Sequence, residues 1–261
     1  MVPLLFPFLF TFATCALNPV TRFANPGEFP YVVSIRIASN NLHFCVGTVI
    51  GARWVLSSAI CFTPQHSSKQ IVNSTDLLVY SNTIMSGGTI GNHNYGKNLV
   101  LHPGFVNTPQ VIRNDIALLE VKNSFYWWWQ KKLGLGTVKP ISIARHVLGS
   151  DGLSLAWSTL TTDLKKLVSP KLTVFRLSTT ASTTNGCTNS DEFICTINKP
   201  NDHTCHYEAG APLIIDNEKY HKLVGVASHL FNGCESSPGS FTRIEYFLPW
   251  INDITKLSLQ I

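Results

Sequence analysis

Apolar positions in this chain alternate with polar ones or gather into short β-branched and aromatic runs, each closed by turn residues. "YVVSIRI" (Tyr31 to Ile37), "FCVGTVI" (Phe44 to Ile50), "WVLSS" (from Trp54), "DLLVY" (Asp76 to Tyr80) and "IALLEV" (Ile116 to Val121) are predicted strands. After a less regular connector the pattern resumes with "LSLAWS" (Leu153 to Ser158), "KLTVFRL" (Lys171 to Leu177), "PLII", "LVGVAS" (Leu223 to Ser228) and "SFTRI". The period changes only near the end. From Tyr246, "YFLPWINDITKL" places Phe247, Trp250, Ile251 and Ile254 at helical spacing. Two β-barrels followed by one helix are expected, with no internal repeat and no low-complexity run.

At 261 residues and 44% hydrophobic content the chain has ample material for a packed core. The first charged side chain is Arg22, and "VPLLFPFLFTFATCA" before it is too short to span a bilayer but suits a signal-peptide core. Thr14 and Ala16 supply small residues for cleavage after Ala16, so residues 1–16 are expected to be a signal peptide, with an uncleaved anchor as the lesser reading. No later segment is apolar enough to cross a membrane, and a secreted, soluble mature form is expected. Export also explains an odd cysteine count. Of seven cysteines, Cys15 falls in the leader, leaving Cys45, Cys61, Cys187, Cys195, Cys205 and Cys234 for three disulfides. Their spacings match no common zinc pattern. Asn73-Ser74-Thr75 is the single glycosylation sequon.

Several ordered motifs carry a family resemblance. "FCVGTVIGARWVLSSAIC" is similar to F-C-G-G-S-L-I-x-x-x-W-V-L-T-A-A-H-C; "LHPGF" and "RNDIALLEV" match H-P-x-F and N-D-I-A-L-L in order. "TCHYEAGAPL" fits the frame C-x-G-D-S-G-G-P, "GVASHLFNGCESSPGSFTRI" parallels G-I-V-S-W-G-x-G-C-x-x-x-x-P-G-V-Y-T-R-V, and "FLPWIND" parallels Y-x-x-W-I. From residue 28 onward the chain resembles the trypsin-like, chymotrypsin-fold serine proteases. The resemblance implies an all-β fold of two antiparallel six-stranded barrels with a C-terminal helix. One peptidase domain, 17–261, would hold a first barrel at about 28–124, a connector at about 125–140, a second barrel at about 141–245 and the helix at about 246–258. It also implies the disulfides Cys45–Cys61, Cys187–Cys195 and Cys205–Cys234. Cysteines of a further common bridge, near Gly152 and at Ile215, are absent together.

The same resemblance locates the chemistry and finds it altered. A serine nucleophile needs an imidazole to take its proton and a carboxylate to orient that imidazole. Here Ile60 stands at the histidine position, Ala209 at the serine position, and only Asp115 of the triad remains. Asp115 is then expected to be a buried structural aspartate, held by backbone amides and the Ser228 hydroxyl. Tyr207 replaces the glycine that helps build the oxyanion hole. His203, His229 and Leu230 alter the specificity pocket. Arg22 precedes "FANPGEF", not the family's new amino terminus, which leaves Glu208 beside Ala209 solvated or paired with a nearby histidine. The expectation is an inactive homologue that acts by binding and needs no cofactor or metal. Two alternatives stay open: a hydrolase of altered mechanism, for which the surface residue His66 is a poor base, and a metal-binding module using His203, His206, Glu208 and His229.

For partners, a formal charge of +5 gives mild attraction to polyanions, but basic residues are dispersed, with pairs only at Lys131 and Lys165, so no nucleic-acid site is expected. "FYWWWQKK" is the unusual stretch. Trp127, Trp128 and Trp129 cannot all face one way; they pack between the barrels or, if exposed, offer an aromatic surface to a protein partner or membrane interface.

Overall fold

A computed structural model of the chain describes residues 21–125, 137–147, 149–158, 168–180, 187, 190–197, 208–216, 220–230 and 239–261. The expected leader, Trp127–Trp129, His203, Cys205, His206, Tyr207 and Cys234 lie outside them, as do the side chains of His229 and Leu230. The described strands of the first half are β1 (Thr21–Phe23), β2 (Val32–Ile37), β3 (His43–Val49), β4 (Trp54–Ser57), β5 (Leu77–Ser81), β6 (Asn92–Leu101), β7 (Val106–Asn107), β8 (Ile112–Arg113) and β9 (Ala117–Val121). Six of them close an antiparallel barrel in the order β2–β3–β4–β9–β6–β5. The second half contains β10 (Ser142–Ile143), β11 (Asp151–Ser158), β12 (Val168–Thr179), β13 (Phe193–Ile197), β14 (Pro212–Asp216), β15 (His221–Leu230) and β16 (Gly239–Arg243). Its barrel runs β12–β11–β14–β15–β16–β13 and closes through β12–β13. Two short strands extend it beyond the expected six: β1 adds antiparallel to β12, and β10 adds parallel to β15.

Closure removes free sheet edges and lets each barrel bury its inward residues. In β2 the alternation puts Val33 and Ile35 on one face, where both are fully buried beside Gly47. Ser34 and Arg36 share the opposite face, yet both are also fully buried. A second layer covers that face, and it proves to be part of the site. Helix α1 (Ile244–Thr255) closes the chain and buries Ile244, Phe247, Leu248 and Ile251. It begins two residues before the Tyr246 start that periodicity gives, and Pro249 lies inside it. It ends at Lys256, whose left-handed backbone returns its N–H to the Asn252 carbonyl.

Candidate functional site

Asp115 sits in the link between β8 and β9 with no solvent exposure. Four donors converge on its carboxylate. The Ser58 hydroxyl lies 2.7 Å from both oxygens, the Ser228 hydroxyl donates at 2.6 Å, the Ile60 amide donates at 2.9 Å, and the Ala59 amide points the same way. Burial pushes this carboxyl above the ordinary carboxylate range, while Ser228, Ser58 and the two amides pull it back. The Asp115 carbonyl is also taken, by Thr242 Oγ1 of β16 at 2.9 Å. Ile60 lies in a single 3-10 turn, Ala59–Phe62, and its half-buried side chain packs on the core.

The structure brings Ala209 to the same junction. Cys61, next to Ile60, is bonded to Cys45 of β3, and the following residue, Val46, donates its N–H to the Ala209 carbonyl at 3.2 Å. Gly210 then turns the chain with a positive φ of 83° and donates to the Ala227 carbonyl at 2.9 Å. A side chain at Gly210 would strike the Val46 carbonyl and the Ser57 hydroxyl, so glycine is required there. Ser57 itself donates to Val46 O at 2.7 Å. Ile60 is thus bonded to Asp115, and Ala209 is bonded to the first barrel at Val46, next to the Cys45–Cys61 bridge.

Among the described residues, Glu208 is partnered from both barrels. Its Oε2 accepts the Trp157 amide at 2.9 Å, and its Oε1 lies against Nε2 of His43. His43 Nδ1 is 2.8 Å from the Ser34 hydroxyl, and Arg36 Nε donates to that same oxygen at 2.8 Å. Because arginine only donates, Ser34 is free to turn its own proton to His43 Nδ1, which places the imidazole proton on Nε2, facing Glu208. Arg36 lies over the Tyr80 ring at 3.9 Å and donates to the Met85 and Gly88 carbonyls, both at 2.8 Å. Trp157 Nε1 donates to Ile84 O at 2.9 Å. Both carboxylate oxygens of Glu208 are thus wired to residues 84–88 of the first barrel. This is the layer that buries Ser34 and Arg36.

Other expected residues fall away from this junction. His66 is exposed in a turn with φ of 56°, and it has no contact with Asp115. His102, of the "LHPGF" stretch, packs its ring on Phe247 and Trp250 of α1. Cys187 and Cys195 form the second disulfide, with Cα atoms 5.9 Å apart.

A family model for trypsin matches residues 20–251. The chain belongs to the trypsin family. It is 26% identical over 256 residues to Serine protease 1 of Drosophila melanogaster, covering 90% of this chain and 84% of that protein. It is 26% identical over 234 residues to Serine protease SP24D of Anopheles gambiae, covering 87% and 77%. It is 29% identical over 244 residues to Transmembrane protease serine 9 of Rattus norvegicus, covering 89% of this chain and 21% of the relative. For this trypsin-family chain the residues missed from sequence are Ser58, His43, Ser34 and Arg36. Ser58 carried a readable signal, since "SSAIC" puts a hydroxyl at the first alanine of A-A-H-C. His43 carried none, because Glu208 is remote in sequence.

Proposed function

We propose that this trypsin-family protein is exported from the cell, has no peptidase activity, and acts by binding a protein partner. The observation that carries the reading is the sealed carboxylate of Asp115. In an active triad that carboxylate orients an imidazole; here Ser58, Ser228 and two amides use it, and among the described residues no imidazole reaches it. In this reading Ile60 and Ala209 replace the base and the nucleophile, Tyr207 alters the oxyanion site, and His203, His229 and Leu230 alter the pocket. The Glu208 contacts favour the same conclusion: with His43 and the Trp157 amide as partners, the carboxylate has no need of a new amino terminus. Export is favoured by the Cys45–Cys61 and Cys187–Cys195 bridges. Among the described residues no helix is long and apolar enough to cross a membrane. Cleavage after Ala16, a Cys205–Cys234 bridge, a partner surface at Trp127–Trp129 and weak polyanion binding complete the proposal.

The test is labelling of the purified protein with a fluorophosphonate, alongside hydrolysis of broad amide and ester libraries. No labelling and no turnover are expected; turnover that survives purification to homogeneity would sink the reading in favour of a hydrolase of altered mechanism. Ile60→His with Ala209→Ser is expected to stay inactive as well. Ser58 already holds both oxygens of Asp115, so the new imidazole would have to compete for them.

A further inference from the structure

The sequon Asn73-Ser74-Thr75 lies on the turn that leads into β5, where the folded chain separates its three side chains. Ser74 faces inward: its hydroxyl donates to the Lys97 carbonyl of β6 at 3.0 Å, and its own carbonyl lies against Gly96, where no Cβ would fit. Asn73 and Thr75, on either side, are exposed. The Asn73 amide makes one long contact, 3.4 Å to Asp76 Oδ2. Two other asparagine amides of the first half are committed to the fold: Asn94 Nδ2 donates to Asn123 O at 2.6 Å, and Asn114 Nδ2 to Gly104 O at 2.7 Å. Close by, Ile71 is 63% exposed, an apolar side chain in an otherwise polar stretch. Its amide donates to the Phe62 carbonyl at 3.1 Å, which ties it to the turn that carries Ile60.

We infer that Asn73 carries an N-linked oligosaccharide and that this glycan covers Ile71 on the flank of the first barrel. The inference rests on the proposed export. Transfer acts on the chain in the secretory pathway, so the folded state decides whether the product can be accommodated. Here it can, since the acceptor amide and the threonine are both outside and the residue between them anchors the turn. In the transfer the Asn73 amide nitrogen bonds to the anomeric carbon of an oligosaccharide held on a lipid diphosphate. The sugar–oxygen bond breaks, the lipid diphosphate leaves with the electron pair, and the amide gives up one proton. Against the bare turn, the bound sugar shields Ile71 from contact with other molecules.

The full chain, expressed in eukaryotic secretory cells both with its own first 16 residues and behind an unrelated leader, supplies the test. Digestion of the secreted protein with peptide N-glycosidase is expected to remove one glycan and turn its carrier into aspartate. Asn73→Gln and Thr75→Ala should each abolish the mobility shift, and Ser74→Ala should keep it. Asn73→Gln protein should self-associate more by light scattering than the glycosylated form, and Ile71→Ser added to it should reverse the increase. A secreted wild-type chain without the shift overturns the site. A glycosylated wild type whose Asn73→Gln variant scatters no more overturns the covering of Ile71. Export behind the unrelated leader but not with the chain's own overturns the export reading and leaves the sequon result to stand or fall by itself.

Discussion

Asp115 and Glu208 are two carboxylates held at one junction between barrels by different means. Asp115 is surrounded by neutral donors, two serine hydroxyls and two amides, and is shut off from water. Glu208 keeps 15% of its side chain exposed and leans on an imidazole and one amide. The first arrangement draws on one turn, which supplies Ser58, Ala59 and Ile60, and on Ser228 of β15 in the second barrel. The second crosses the molecule and draws in Ser34, Arg36 and Trp157. Asp115 is satisfied directly by four donors drawn from both barrels, whereas Glu208 is linked to the first barrel through a chain of groups, His43, Ser34 and Arg36.

The comparison breaks most directly at Asp115→Ala, which leaves four donors in a dry pocket without an acceptor. Each buried orphan costs about 1–3 kcal/mol, so a loss of roughly 3 kcal/mol or more is expected in urea unfolding; a mild effect would mean that water reaches the pocket. Next in size is Ser58→Ala, about 1–3 kcal/mol for the loss of one hydrogen bond to a buried group. In a double-mutant cycle with Ser228→Ala the two changes should couple, since they share one acceptor. Independent effects would show that Ser58 does not stand in for a missing partner.

A pH titration sharpens the contrast. Burial raises the folded pKa of Asp115 above its ordinary 3.8, so the folded chain holds this proton more tightly than the unfolded one. Its contribution to stability is therefore full below about pH 3.8 and declines as pH rises through the folded value, with a slope of at most about 1.4 kcal/mol per pH unit. Asp115→Asn should flatten that part of the profile in urea unfolding at stepped pH, and an unchanged profile would place the titration elsewhere. The smallest expected effect is His43→Gln, about 1 kcal/mol from a hydrogen-bonded buried polar group that is replaced by another. Its signature would be faster proteolysis near Glu208–Ala211, with the Asp115 region unaffected.

Much of the fold was legible because barrel strands carry their own pattern: β2, β3, β4, β5, β9, β11, β12, β14, β15 and β16 all fall on the apolar runs. Strand β6 does not. Asn92–Leu101 is half polar, with an exposed residue at almost every second position, and it becomes a strand because β5 and β9 flank it. Strand β13 is short and lies in the irregular stretch after Cys187, where pairing with β16 and β12 decides it. At the junction, Asp115, its Ser228 partner and the backbone amides were expected, and Ser58 was visible in "SSAIC" but unread.

What the sequence determined alone was whatever depends on neighbours along the chain: strand periodicity, the C-terminal helix, cysteine parity, and the motif frames that put Ile60 and Ala209 at their positions. Tertiary structure alone decided the partner of Glu208, to which no motif frame points. Among the described residues Glu208 meets His43, because the register of β2 on β3 sets Ser34, Arg36 and His43 on one covered face. A local pattern reports which face of a strand is apolar. The choice of partner for a buried charge depends on which groups lie within about 3 Å of it after packing, and that distance is fixed only when both barrels are closed.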